Sequence, residues 1–149
     1  MTPEAQLATF LGKYTPEIGA LAKAARKKMQ ARLPGAIEMV YDNYNALVIG
    51  FAPAERASGA IFSIALYPRW VTLFFLKGKG LPDPEKLLQG NGSRVRSIRL
   101  ENAATLDKPA VRAIMKAALE QCDPPIDARA RRQLIIKSIS AKQRPRRPN

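Results

Sequence analysis

The sequence predicts an α/β sandwich of the α+β kind, an antiparallel-rich sheet with helices packed on one side and a basic C-terminal extension. Three observations predict it. Two Thr-Pro-Glu triplets near the start each announce a helix, apolar runs of strand length separated by turn signals fill the middle, and a helical apolar stripe follows them.

Thr2-Pro3-Glu4 and Thr15-Pro16-Glu17 share one helix-start formula. Threonine caps the first free N–H groups, proline occupies the first turn where no N–H is needed, and glutamate faces the positive helix end. Leu7, Phe10, Leu11 and Tyr14 form the apolar face of the first helix. Ile18, Leu21, Ala22, Ala25, Met29 and Leu33 form that of the second, which Pro34-Gly35 stops. Ile37, Met39 and Tyr41 then alternate with Glu38 and Asp42 as in a strand, and LVIGF, AIFSIALY and WVTLFFL read as further strands. Tyr67-Pro68-Arg69 marks a tight antiparallel turn between two of them, whereas Ala52 to Gly59 reads as a looser connection.

A short helix is expected from Pro84 to Gly90, then a strand from about Arg94 to Leu100. Asp107 is placed to cap a helix carrying Val111, Ile114, Met115, Ala118, Leu119 and Cys122 on one face. These elements make residues 1–123 one domain. Residues 124–149 form the extension, with a short helix from Asp127 to about Ile139 and a polar, proline-rich, disordered end from Ala141.

Composition narrows the function. No histidine is present and Cys122 is the single cysteine, which excludes His-based triads and thiolate-rich metal sites within one chain. No cofactor fingerprint occurs, because GKGLPD and GNGSRV lack the third glycine of a dinucleotide loop. Cys122 and the aromatics Tyr41 and Trp70 are read as core. With no membrane-length apolar run or secretory leader, the chain reads as cytoplasmic, without a membrane partner.

The net charge is +13, of which eight charges lie between Arg129 and Asn149 with no acid among them. Arg129, Arg131, Arg132, Lys137, Lys142, Arg144, Arg146 and Arg147 are therefore the candidate contacts to nucleic acid or another polyanion, with Lys23 and Lys27 as auxiliaries. Such binding releases counterions and weakens with salt. That extension holds no aromatic residue, so stacking on unpaired bases has to come from elsewhere.

A second candidate is an anion pocket at Gly90, Gly92, Arg94 and Arg96. Strict alternation sends the arginines to the same side as Ile98 and Leu100, so either a bulge intervenes or an arginine points inward toward a carboxylate or a bound anion. A third is a hard-cation site at Glu38 and Asp42, which share one strand face; their alternative is a pair of solvated surface acids.

The segments PGAIEMVYDNY and WVTLFFLKGKGLPDPEKLLQGNGSRVRSIRL, followed by a capped helix, make residues 17–120 resemble the YdhG-like domain family, small bacterial proteins of largely unknown function. The resemblance implies the same sandwich. Some members are regarded as frataxin-like intracellular iron carriers, which would make Glu38 and Asp42 weak iron contacts. The reading that emerges is a non-enzymatic binding protein using its basic extension, with a small-ligand or iron carrier as the alternative.

Overall fold

A computed structural model describes residues 1–55 and 59–148. The centre of the Ala52–Gly59 connection, residues 56–58, lies outside them. Helices α1 (Pro3–Gly12) and α2 (Pro16–Arg32) precede strands β1 (Ile37–Asp42), β2 (Leu47–Ala52), β3 (Phe62–Leu66), β4 (Val71–Phe75) and β5 (Arg96–Leu100). A 3-10 turn (Ala103–Asp107), helix α3 (Pro109–Glu120) and strand β6 (Gln133–Ile139) complete the chain. The sheet order is β5-β4-β3-β2-β1-β6, antiparallel throughout except that β6 runs parallel to β1.

Both threonine caps form as expected. Thr2 Oγ1 accepts from Ala5 N and Thr15 Oγ1 from Ile18 N. The alternation seen in sequence becomes the division between the two sheet faces. Val40, Leu47, Ile49, Phe51, Phe62, Ile64, Leu66, Val71, Leu73, Phe75, Ile98 and Leu100 join the helical residues in one core. Phe62 and Phe75 face each other across β3 and β4 edge to face, with centroids 5.5 Å apart, a geometry worth about 0.5–1.5 kcal/mol beyond burial. The reverse face gathers only a small cluster around Met39, Ala52 and Ala60, and no helical residue belongs to it.

Tyr14 ties the helical layer to the sheet. Its hydroxyl donates to Leu66 O (3.0 Å) and accepts from Leu47 N (3.1 Å), so the α1–α2 junction sits over the end of the sheet where β1 and β3 finish. We call this the upper end. Gly35 fixes the lower end: its φ is +85°, and a Cβ there would lie 1.9 Å from Asp127 O, so only glycine lets the chain entering β6 cross so closely.

Four local expectations are corrected. The basic helix over Asp127–Ile139 is instead β6, because Leu134, Ile135, Ile136 and Ile139 are strand formers and the free edge of β1 offers them a ladder. The extension is thus part of the sheet, not an appendage to residues 1–123. The end expected to be disordered is also corrected: Ala141–Pro148 form no helix or strand but are held in place, with Arg144 N donating to Tyr44 O. The short helix at Pro84 is a turn closed by Asp83, whose carboxylate accepts from Leu87 N and Leu88 N (2.8 Å each). Asp107 does not cap α3, which begins after Lys108 without a side-chain cap. It pairs with Lys28 (2.7 Å), Arg32 and Arg112 instead.

Candidate nucleic-acid interface

The eight cations of the extension are divided by β6. Arg129, Arg131 and Arg132 precede it at the lower end, and Lys142, Arg144, Arg146 and Arg147 follow it at the upper end. A seven-residue strand separates the groups by about 23 Å at ~3.3 Å per residue. Lys137 lies on β6 itself, 3.5 Å from Glu55.

Within the upper group the roles differ. Arg146 is structural: its guanidinium is only 4% exposed and donates to Asp42 Oδ1 (2.9 Å), Asn43 O (2.5 Å) and Tyr44 O (3.4 Å). Arg147 donates to Gly12 O and Lys13 O while remaining exposed. Arg144 lies 5.6 Å from the ring of Tyr44, which is 48% exposed in the β1–β2 turn. Lys142 is exposed beside them in sequence.

The β3–β4 turn ends at the same edge, two strand positions along the sheet and so about 10 Å away. Here Trp70, expected in the core, is 36% exposed and stacked on Tyr67 with centroids 5.4 Å apart. Burial pushes the Tyr67 hydroxyl above its ordinary pKa, so it stays protonated. Arg99 from β5 places its guanidinium 4.7 Å from the Trp70 ring. Leu66, Val71 and Leu100 all enter the helix-side core, so alternation turns their neighbours Tyr67, Trp70 and Arg99 toward the other face, at an end of the sheet where Trp70 and Arg99 also line a hollow with Ile18 and Leu21 of α2. The signal for this was present in Tyr67-Pro68-Arg69-Trp70. A turn tight enough to reverse the chain projects its flanking side chains past the end of the core.

The upper edge therefore carries three surface aromatics, Tyr44, Tyr67 and Trp70, with exposed cations Lys13, Arg69, Arg99, Lys142, Arg144 and Arg147 against the acids Glu17 and Glu101. Lys23 and Lys27 are exposed on α2. Their neighbour Arg26 is bound to Glu38 (2.7 Å) and Glu4 (2.8 Å). Burial works against its charge, but those hydrogen bonds outweigh it and hold Arg26 above the ordinary arginine value.

The other candidate sites are not assembled as sites. Arg96 is half-buried at the start of β5, and its Nη1 donates to Gly92 O (2.7 Å) and Val95 O (2.8 Å). It thus faces the carbonyls of the loop rather than an amide cradle for an anion. Gly78 permits this, since a Cβ there would meet the Arg96 Cβ at 2.5 Å. Arg94 precedes β5, escapes the alternation, and points to a separate cavity. Gly90 takes φ +115° in the turn. Glu38 and Asp42 are buried on the helix face, each bonded to an arginine, and are therefore not surface acids. Among the described residues no group of three His, Cys, Asp or Glu side chains is placed to hold a metal ion. Tyr41 is half-buried on the reverse face, with its hydroxyl lacking a hydrogen-bond partner among the described residues.

No protein family, curated protein or solved structure matches the chain. Among the described residues no helix is long and apolar enough to cross a membrane.

Proposed function

We propose that this protein is a cytoplasmic, non-enzymatic binder of single-stranded nucleic acid, held across the upper edge of the sheet. The observation that carries the reading is the Tyr67–Trp70–Arg99 stack, on the same edge as Lys142, Arg144 and Arg147. Phosphates would be neutralised by the cations, while an unpaired base takes the place of the Arg99 guanidinium over the Trp70 ring, whose other face is held by Tyr67. A sheet with one helix-free face and aromatics on it is a recurrent way to hold unpaired bases, because every base has a π-face and the strands supply a rigid platform. The division of cations also alters the sequence-based expectation: the upper group works with the turns, and Arg146 supports the fold instead of meeting phosphate.

Trp70 is the single tryptophan, so its emission reports on the site directly. Titrating the full chain with a labelled single-stranded oligonucleotide at low salt should quench that emission and raise the anisotropy of the label. Trp70→Leu should weaken the anisotropy-detected binding about 5- to 150-fold, the equivalent of ~1–3 kcal/mol for one stacked base. Arg144→Ala with Lys142→Ala should reduce the salt dependence. Equal affinity for duplex and single strand, or an unchanged Trp70→Leu variant, would remove the stacking mechanism; no binding at low salt would remove the function.

A further inference from the structure

A cavity of about 580 Å³ opens at the lower end of the sheet, opposite the aromatic edge. Its apolar wall is made by Ala60 and Ile61 entering β3, Phe75 at the end of β4, and Ala118 on the last turn of α3. Phe75 and Ala60 are buried, so they form the floor; Lys77 and Arg94 are exposed and stand at the mouth. Neither cation forms an ion pair among the described residues. Asp123 also lines the cavity, leaving two positive groups against one negative among the described residues. Burial raises the Cys122 thiol above its ordinary pKa, with Lys77 opposing the shift, so this lining residue adds no negative charge at neutral pH.

The size falls within the ~300–1,000 Å³ typical of small-molecule sites, and an apolar interior with few convergent polar groups is their usual make-up. We infer that this cavity binds an amphipathic carboxylate, with an aromatic or aliphatic body against Phe75, Ile61 and Ala118 and its carboxylate between Lys77 and Arg94. Desolvating the body supplies affinity. The guanidinium fork of Arg94 and the point charge of Lys77 select the anionic head, which a cation of the same shape would not satisfy. The site lies at the opposite end of the sheet from the nucleic-acid edge and shares no residue with it, so the two readings stand or fall separately.

The test uses the full chain with phenylbutanoate and its cationic counterpart phenylbutylammonium, followed by calorimetry and thermal melting. Phenylbutanoate should bind saturably below about one millimolar, as suits a ligand of that size, and raise the Tm. Phenylbutylammonium should bind at least tenfold more weakly. Lys77→Met with Arg94→Met, two exposed positions, should keep the Tm of the free protein and lose at least tenfold in phenylbutanoate affinity. Ala118→Phe should fill the cavity and abolish binding; if it fails to fold, the charge variants still decide. Absence of binding at millimolar concentration, equal binding of the two probes, or unchanged affinity in the double variant would each overturn the inference.

Discussion

Arg146 sits in a stretch whose composition reads as disordered, yet the structure makes it a keystone of the upper edge. Its guanidinium and the Asp42 carboxylate are 4% and 1% exposed and 2.9 Å apart. Replacing Arg146 by Met keeps an apolar stem of similar length but strands a buried carboxylate, and leaves Asn43 O and Tyr44 O without this donor. Breaking one partner of such a pair costs about 3–5 kcal/mol. With a urea m-value of about 2 kcal/mol/M for a domain of this size, the unfolding midpoint should fall by roughly 1.5–2.5 M. Circular dichroism during urea titration measures this, with Arg144→Met as the exposed control, expected to stay within about 0.5 kcal/mol of the parent. Combining Arg146→Met with Asp42→Leu should recover much of the loss, because no unpaired charge then remains inside. A midpoint shift below about 0.3 M for Arg146→Met, or no recovery in the double variant, would refute the desolvated-pair argument. Removing β6 and the residues after it unpairs Asp42 and bares the edge of β1, so a truncated chain would lose its fold along with any nucleic-acid contact.

Tyr14→Phe should cost about 1–3 kcal/mol by leaving Leu47 N and Leu66 O unpaired. Tyr41→Phe should be neutral or slightly stabilising in the same melt, because the hydroxyl it removes is buried without a partner among the described residues. Gly35→Ala should lower the Tm by at least about 6 °C, from a left-handed φ plus a backbone clash at Asp127 of roughly 2 kcal/mol or more together. Gly12→Ala, with nothing within 4 Å of its Cβ, should not. The Arg26 hydrogen bonds hold Glu4 below the usual carboxylate range, and the Lys28 hydrogen bond does the same for Asp107. Depressed folded values mean that this stability is present above about pH 4 and fades as the pH falls through the folded values. Glu4→Gln with Asp107→Asn should therefore flatten the acid limb of a Tm-versus-pH curve and leave its neutral part little changed in shape.

The five antiparallel strands and three helices were legible because their signals are local: capping triplets, 3.6- and 2-residue periods, and tight turns between neighbours. Strand β6 was not, because its apolar residues are embedded among cations and its partner β1 lies far back in the chain. Only the folded edge of β1 selects strand over helix there. Alternation likewise put Glu38 and Asp42 on one face, but not which face. Burying them required Arg26 from α2 and Arg146 from beyond β6. The basic charge that suggests a polyanion is a property of sequence alone. Its division between two ends, and the placing of the upper group on the same edge as Tyr44, Tyr67 and Trp70, were decided by tertiary structure, since period and propensity constrain adjacent residues while a surface is assembled from distant ones brought side by side by the sheet.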